Sequence, residues 1–304
     1  MRVAAIDCGT NTIRLLIAST DDDGRLRDEV REQRFVGLGQ GLDDTRQYAA
    51  DAMIRAYSAC DEYAELLRQY PPDKVRFVAT ASGRDADNWN DFAIGVRMRL
   101  GIVPEVISGE AEAELSFVGA LSGLVNPVEP VLVMDSGGGS TELIRGLRDG
   151  TILESVSIPL GSRKITERFL HSDPPTEQEI WAAHRAVRRE LSNVGVDLES
   201  VGTFIGVAGT VTTLAFLALG LLEYDRSKVH LSTLNAAALE RIADDVLGTS
   251  RARLIERGVP EKRAEVLGGG ALLVYALAER IGSATLTVSE ADILDGIALA
   301  LVSH

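Results

Sequence analysis

Short apolar runs and longer segments with one apolar face alternate along this chain. In residues 53–67 the apolar positions recur at steps of three and four residues, which predicts a helix that ends before Pro71-Pro72. The same criterion predicts further helices, which cover residues 89–100, 111–121, 177–194, 211–219, 235–247, 264–281 and 291–302. Thr176-x-x-Glu179 and Ser289-x-x-Asp292 are candidate capping boxes for two of them. Strands are predicted at 75–79, 105–107 and 204–207, and this mixture indicates the α/β class.

An uncharged stretch, residues 201–222, is long enough to cross a bilayer. It contains four glycines and four threonines, and Gly206-Val-Ala-Gly-Thr210 interrupts it in the middle. We therefore interpret it as a buried strand, a tight loop and a buried helix. The apolar run at the N-terminus is too short for a signal peptide, so we expect no membrane segment and a cytoplasmic protein.

An internal repeat divides the chain. Residues 3–15 and 131–143 both consist of an apolar strand, then Asp-x-Gly, then small polar residues and a second apolar strand. Each copy continues to an acidic turn, at Asp23-Gly24 and Asp149-Gly150, and to a third strand-like run. Two copies of one β-meander predict two similar domains, with residues 126–130 as the candidate linker.

Composition and charge limit the possible functions. The chain has 304 residues, of which 45% are hydrophobic, which suits two ordinary globular domains. Lys and Arg total 31 and Asp and Glu total 45, so the net charge of −14 disfavours nonspecific binding to nucleic acid or acidic lipid. Cys8 and Cys60 are the only cysteines, and the histidines are scattered, so neither a disulfide framework nor a zinc site is expected.

The second repeated loop carries the clearest candidate chemistry. Asp135 precedes a run of three glycines and two hydroxyl residues, namely Gly137, Gly138, Gly139, Ser140 and Thr141. Backbone without Cβ atoms lets a ligand come close, and its N–H groups can face a phosphate. The two hydroxyl groups add further donors, so the loop is a candidate phosphate site.

The first repeated loop offers related groups. It contains Asp7, Asn11, Thr12 and the cation Arg14. An aspartate at the end of a strand can hold a divalent cation directly or through water. One such loop alone is equally consistent with a glycine-rich hairpin turn, whereas two related loops favour phosphate binding.

Both loops resemble the phosphate loops of the exopolyphosphatase/guanosine pentaphosphate phosphohydrolase family. The resemblance rests on Asp-x-Gly-Thr-Asn-Thr-x-Arg-Leu from Asp7 and Asp-x-Gly-Gly-Gly-Ser-Thr-Glu-Leu from Asp135, and similar segments recur at residues 79–88, 107–113, 159–162, 206–214 and 289–291. That family has the actin/Hsp70/sugar-kinase superfold. The resemblance therefore implies two ribonuclease-H-like, actin-type domains with the active site in a cleft between them. The implied domains are residues 1–124, to which a C-terminal helix at 290–304 returns, and residues 125–289.

The resemblance also implies roles for single residues. Glu112 matches the carboxylate regarded as the catalytic base, and Glu142 matches the glutamate that holds metal or positions water. Asp7 and Asp135 match the carboxylates on the magnesium side, so Asp7, Asp135 and Glu142 are the expected ligands of Mg²⁺ or another divalent cation. The expected phosphate-binding residues are Asn11, Thr12, Arg14, Ser82, Arg84, Gly137, Gly138, Gly139, Ser140, Thr141, Gly209 and Thr210.

Several of these residues also have a purely structural interpretation. Glu112 is one of several acids in the first turn of a predicted helix, where negative charge is favourable. Arg84 is also able to pair with a neighbouring aspartate at the surface, and the Gly209-Thr210 loop either binds a further phosphate or only packs. Three cations follow Gly161, namely Arg163, Lys164 and Arg168. They either guide a chain of phosphates or form a solvated helix face.

We therefore expect a magnesium-dependent exopolyphosphatase that releases orthophosphate from the end of inorganic polyphosphate. Long members of the family carry an additional C-terminal helical region, and this chain ends at His304 without it. This difference favours short polyphosphate chains, or a compact substrate such as guanosine pentaphosphate, over long polyphosphate. The alternatives are a guanosine pentaphosphate 5′-phosphohydrolase of the stringent response, a kinase or ATPase of the superfold, and a non-catalytic sensor of polyphosphate or guanosine tetraphosphate. We expect no nucleic-acid or membrane partner and leave a homodimer open.

Overall fold

The computed structural model describes residues 1–21, 25–282 and 285–302. The chain forms two compact units: unit 1 comprises Met1–Ser122 and Asp292–His304, and unit 2 comprises Gly123–Ala291. The sequence places the corresponding boundary at residues 124 and 125, and the return to the first domain at residue 290. The turn expected at Asp23-Gly24 lies outside the described residues.

Three consecutive strands begin each unit, at the points where the internal repeat predicts them, and further strands follow. The strands are β1 (Arg2–Cys8), β2 (Thr12–Thr20), β3 (Leu26–Phe35), β4 (Lys74–Ala79), β5 (Glu105–Val106), β6 (Val131–Ser136), β7 (Thr141–Gly146), β8 (Ile152–Ile158), β9 (Thr203–Val207), β10 (Thr233–Leu234) and β11 (Leu286–Val288).

Helices occupy most of the remaining chain. They are α1 (Leu42–Thr45), α2 (Ala50–Gln69), α3 (Ala81–Asp85), α4 (Trp89–Leu100), α5 (Gly109–Ala120), α6 (Ser162–Phe169), α7 (Glu177–Ser192), α8 (Ala208–Ala218), α9 (Arg226–Val229), α10 (Ala236–Leu247), α11 (Arg251–Glu256), α12 (Glu261–Ala264), α13 (Leu267–Ile281) and α14 (Ile293–Val302). Within the described ranges, no helix is both long enough and apolar enough to span a bilayer.

The two units share one sheet topology. In unit 1 the strand order is β3-β2-β1-β4-β5, with β1–β3 antiparallel and β4 and β5 parallel to β1. In unit 2 the order β8-β7-β6-β9-β11 repeats that arrangement, and β10 adds an antiparallel edge. The predicted α/β class with two ribonuclease-H-like, actin-type domains is therefore confirmed.

The central strands of unit 1 are apolar on both faces because helices cover both faces. Ala4, Ile6 and Cys8 of β1 face a cluster with α2 and α4. Val3 and Ala5, the alternate residues of β1, face a second cluster with α5 and α14. Strands buried on both faces are expected to form continuous apolar runs, which is the pattern that the sequence shows at residues 3–6.

The helix expected at 264–281 is confirmed as α13, which begins three residues later than expected and follows the short helix α12. One detail of the predicted helices is wrong. The capping box expected at Ser289 lies three residues further on: Asp295 Oδ2 accepts from Asp292 N and Asp292 Oδ1 accepts from Leu294 N, both at 2.9 Å. The Ser289 hydroxyl instead accepts from Ala291 N at 3.1 Å, and Asp292 and Asp295, which have the same spacing, supply the cap. The box at Thr176 and Glu179 is confirmed.

Both cysteines are expected to resist alkylation in the folded protein. Cys8 and Cys60 are fully buried in unit 1. Burial raises the pKa of Cys60 to about 12 and raises that of Cys8 well above its ordinary value, so the reactive thiolate is scarce at about pH 8. Mass spectrometry after iodoacetamide treatment should find no adduct in native protein and two in denatured protein. Rapid labelling of native protein would show that the core around β1 opens readily.

Candidate active site

Asp7 and Arg14 form an ion pair across the first loop of unit 1. They are partners in the antiparallel register of β1 and β2, so their side chains lie on one face of the sheet. Arg14 donates to Asp7 Oδ2 from Nε at 3.0 Å and from Nη2 at 2.6 Å. Asp7 is 4% exposed, and in the described part of the chain its Oδ1 has no hydrogen-bond partner. One carboxylate oxygen of Asp7 is thus neutralised, whereas the other is buried without a donor.

Further buried ions extend this pair within unit 1. Arg14 also donates through Nη1 to Asp292, and Arg31 donates through Nη2 to Asp295 at 2.7 Å. Burial raises the pKa of Asp7 even though Arg14 acts to lower it. Burial also acts to raise the pKa of Asp292, but Arg14 and Arg31 hold it below its ordinary value. Arg14 therefore fixes the position of Asp7, and its expected contact with phosphate stays a prediction.

The turn of the first loop is fixed by its backbone. Gly9 N donates to Thr12 O at 2.9 Å, and Val36 N donates to Asn11 O at 2.8 Å. Asn11 is exposed, and Thr12 pairs with Phe35 at the start of β2. The Asn11 side chain is thus accessible to a ligand while its carbonyl anchors the loop to the chain after β3.

Two carboxylates lie directly opposite each other at the second loop, in unit 2. Asp135 of β6 and Glu142 of β7 are register partners, whereas the corresponding pair of unit 1 is Asp7 and Arg14. Glu142 Oε1 accepts from Ser157 Oγ on β8 at 2.8 Å. Like charges placed opposite each other on a sheet are destabilising, so this pair is a plausible place for a cation.

The glycines of the second loop leave its outer face open. Carbonyls of the loop accept from the start of α6: Ser162 N donates to Gly137 O at 3.0 Å and Arg163 N donates to Gly138 O at 3.0 Å. Gly138 and Gly139 are exposed, and a Cβ on either would meet other atoms only at 3.6 Å or more. Packing therefore does not require glycine at these two positions. Close approach of a ligand to the backbone is a physical reason for it.

The predicted donor Thr141 does not fit its expected role. Thr141 is fully buried, and its hydroxyl donates to Leu160 O at 2.9 Å. A hydroxyl has one proton to donate, so this group fixes the loop to the segment before α6 and has no proton left for a phosphate. Ser140 is half-buried at the end of the loop, and its carbonyl accepts from Gly137 N at 3.0 Å.

Arg84 and Glu112 are paired in unit 1. Arg84 donates from both Nη1 and Nη2 to Glu112 Oε2 at 3.1 Å, and Nη1 also donates to Ile107 O at 2.7 Å. Glu112 lies in the first turn of α5, which the Ser108 side chain caps. About a third of each side chain is exposed, 34% for Arg84 and 32% for Glu112. The surface pairing with a neighbouring aspartate that the sequence also allowed is thus replaced by a contact with the candidate base.

Ser82 does not fit its expected role in phosphate binding. Its side chain is 1% exposed and lies in the interior of unit 1. The Tyr48 hydroxyl donates to Ser82 Oγ at 3.3 Å. Ser82 therefore accepts the hydrogen bond of a buried tyrosine hydroxyl. Of the two candidate residues in this part of the chain, Arg84 is the one with an accessible side chain.

The third loop, at the start of α8, brings in a residue that the sequence did not single out. The guanidinium of Arg263 lies against Gly209, so closely that a Cβ on Gly209 would be 2.2 Å from Nη2. Burial lowers the pKa of Arg263, and no carboxylate of the described residues pairs with it. Thr210 is fully buried, and its Oγ1 finds no partner in the described part of the chain. A half-buried cation without a counter-ion is a candidate anion-binding group. The contact joins residues far apart in sequence, and no local pattern marks it.

The expected metal ligands do not form a closed site. Among the residues that the structure describes, no three acidic, histidine or cysteine side chains are close enough to hold an ion. The unpartnered Oδ1 of Asp7 and the opposed pair Asp135 and Glu142 still offer hard oxygen donors. Magnesium is commonly held by one or two carboxylates, with water and substrate phosphates completing its shell. Within unit 2 the pair Asp135 and Glu142, and separately within unit 1 the Oδ1 of Asp7, therefore offer donors of the kind that a weakly held divalent cation uses, but neither set is an all-protein cage.

Comparisons with known proteins agree with this fold. The sequence model described as the Ppx/GppA phosphatase family matches residues 16–303. The chain is similar to Exopolyphosphatase 2 of Mycobacterium tuberculosis, with 45% identity covering 99% of this chain and 98% of that protein. It is similar to the Ppx/GppA phosphatase of Aquifex aeolicus, crystal structure of the type II variant, at 31% identity and a TM-score of 0.89 over 99% of both chains. It is also similar to an exopolyphosphatase of Cytophaga hutchinsonii, at 27% identity and a TM-score of 0.81 over 100% and 98% of the two chains.

Proposed function

Because the chain belongs to the Ppx/GppA phosphatase family, we propose that this phosphoanhydride hydrolase is an exopolyphosphatase that removes the terminal phosphate of short inorganic polyphosphate. The observation that carries the proposal is the contact of Arg84 with Glu112 at the start of α5. It fixes a partly exposed carboxylate at the helix terminus, at the position that the family resemblance assigns to the catalytic base. The identity to Exopolyphosphatase 2 over nearly the whole length supports polyphosphate as the substrate.

Glu112 acts as the general base in this proposal. Its carboxylate accepts a proton from water, and the resulting hydroxide attacks the terminal phosphorus. The P–O bond to the bridging oxygen breaks, and the shortened chain leaves with that oxygen. Arg84 fixes the position of the carboxylate through Oε2, since phosphoryl transfer depends mainly on positioning and on neutralisation of charge.

Phosphate binding is assigned to backbone and cations. The exposed backbone at Gly138 and Gly139 would donate N–H groups to phosphate oxygens. Arg163 and Lys164 lie beside those glycines. Arg163 Cβ is 3.6 Å from where a Cβ on Gly138 would be, and Lys164 Cε is 3.9 Å from where a Cβ on Gly139 would be. Arg163 and Lys164 would add positive charge to the second loop, and Arg263 would add positive charge to the third loop. A divalent cation held by Asp7, Asp135 or Glu142 would neutralise phosphate charge when bound.

The substrate is tested by phosphate release with purified protein and magnesium. We expect the highest kcat/KM with tripolyphosphate, lower values with long polyphosphate, guanosine pentaphosphate and ATP, and loss of activity on chelation of the metal. If guanosine pentaphosphate gave the highest kcat/KM, it would replace polyphosphate as the proposed substrate, and the proposed roles of the residues would not change. Binding without turnover of any of the four would replace the enzyme with a sensor.

Gly138→Ala tests whether a ligand approaches the second loop. The added Cβ would be 3.6 Å from Arg163 Cβ, an ordinary contact, so the free energy of unfolding should change by less than about 0.5 kcal/mol. The methyl group would displace a phosphate held by the backbone, and kcat/KM should fall by about 10²-fold. Gly195→Ala is the matched control, because no described atom lies within 4 Å of its added Cβ. Equal activity of the two variants would remove the second loop from the site.

A further inference from the structure

A pocket of about 420 Å³ lies in unit 2, between α6, α7 and the segment that precedes α6. Its floor is apolar and includes Pro159 and Leu160. Two aromatic rings, three arginines, two alanines and one carboxylate also line it, namely Phe169, Trp181, Arg168, Arg185, Arg189, Ala182, Ala186 and Glu190. Its volume is within the range of pockets that bind small molecules and cofactors. Of its side chains, only that of Arg168 was considered above, as one of the cations that follow Gly161.

The pocket results from the two faces of α7. Ala183, Val187 and Leu191 are buried in the core of unit 2. Trp181, Arg185 and Arg189 follow one another at steps of four residues, so they lie on one face of the helix. Trp181 is 60% exposed. More than half of this indole is therefore open to solvent, beside a row of guanidinium groups.

In the described part of the chain, few carboxylates compete with a ligand for the arginines of the pocket. Arg185 Cζ lies 4.5 Å from the centre of the Trp181 ring, and Arg168 Cζ lies 5.4 Å from that of Phe169. No carboxylate of the described residues pairs with Arg168 or Arg185, and Arg189 is 3.7 Å from Glu190. In a chain with a net charge of −14, such a group of cations gives a local positive potential.

We propose that this pocket binds a purine nucleotide. The base would stack on the exposed Trp181 ring beside the Arg185 guanidinium, and the phosphates would bind Arg168 and Arg189 with charge-assisted hydrogen bonds. An inorganic polyphosphate has no apolar part that would use Trp181, Phe169 and the apolar floor. The proposal does not depend on the substrate proposed above, because none of its residues belongs to the loops or to the Arg84–Glu112 pair.

Tryptophan fluorescence tests the site directly. The chain has two tryptophans, so Trp89→Phe leaves Trp181 as the only reporter. Titration with GDP in the absence of magnesium should quench this fluorescence saturably below about 1 mM. Guanosine and tripolyphosphate, which each supply half of the recognised chemistry, should bind at least about tenfold more weakly.

Two variants separate the pocket from general surface charge. Arg185→Ala should weaken GDP binding by about tenfold or more. Arg188→Ala removes the same charge from the same helix outside this pocket, and GDP binding should be unchanged. The proposal is overturned by the absence of saturable quenching, by equal weakening in both arginine variants, or by tripolyphosphate binding as tightly as GDP. It is also overturned if Gly138→Ala abolishes GDP binding, because the nucleotide would then bind at the second loop. None of these measurements requires turnover, so the proposed hydrolase activity stands or fails separately.

Discussion

Glu112→Gln is expected to lower kcat for phosphate release by about 10²- to 10⁴-fold, the usual contribution of a general base. Glutamine has nearly the same shape and keeps an oxygen that can accept from Arg84, so the hydrogen bond at 3.1 Å can still form. It has no basic carboxylate to take a proton from water. The KM should change little, because the phosphate-binding residues are untouched. Steady-state kinetics with tripolyphosphate and magnesium measure both constants.

A neighbouring acid provides the control for this variant. Glu110 lies in the same first turn of α5, is exposed, and has no assigned contact with the reaction. Glu110→Gln removes the same charge from the same helix terminus, so it reports the general electrostatic effect alone. Its kcat should remain within about twofold of the parent value, since a single exposed charge contributes little. A loss of activity in Glu110→Gln equal to that in Glu112→Gln would falsify the assignment of the base.

The two repeated loops could be predicted because they depend on local sequence, whereas the actin-type sheet topology came from the family resemblance. Asp-x-Gly between two apolar runs marks a strand end and a tight turn wherever it occurs, and its repetition at Asp7 and Asp135 implies two copies of one sheet. The structure adds the register, in which residue 14 lies opposite residue 7 and residue 142 opposite residue 135.

Side-chain roles could not be predicted where tertiary contacts decide them. Ser82 and Thr141 have the chemistry of phosphate donors, but both are buried and bonded within their own units. Arg263 shows the reverse case: it has no motif around it, yet packing brings its guanidinium against Gly209. A sequence motif states which groups are available near a loop, whereas burial determines which of them a ligand can contact.

The helix cap before α14 shows a finer limit of the same kind. Ser289 and Asp292 fit the spacing of a capping box, as do Asp292 and Asp295. The second pair is the one that forms, and its carboxylates also hold Arg14 and Arg31. Sequence spacing alone does not distinguish two overlapping boxes, but the ion pairs with β2 and β3 select one of them.

Gly296→Ala is expected to destabilise unit 1 by about 3 kcal/mol, at the upper end of the usual cost of overpacking. α5 and α14 cross so closely that a Cβ on Gly296 would be 1.9 Å from Leu115 O, and one on Gly119 would be 1.8 Å from Asp292 O. Both clashes involve backbone, which has no rotamer that relieves them, so the helices must separate. Asp292 and Asp295 lie at the start of α14, so moving α14 away from α5 also strains the ion pairs that these two aspartates make with Arg14 and Arg31.

Gly109→Ala is the matched control for this substitution, and urea unfolding measures both variants. Gly109 is the first residue of α5, and no described atom lies within 4 Å of its added Cβ. Alanine is the better helix former by up to about 1 kcal/mol, so this variant should be neutral or slightly more stable. The opposite signs expected for the same chemical change separate close helix packing from helix propensity. A stability of Gly296→Ala equal to that of Gly109→Ala would mean that α14 shifts on α5 without cost, and that the buried ion pairs do not depend on the close crossing.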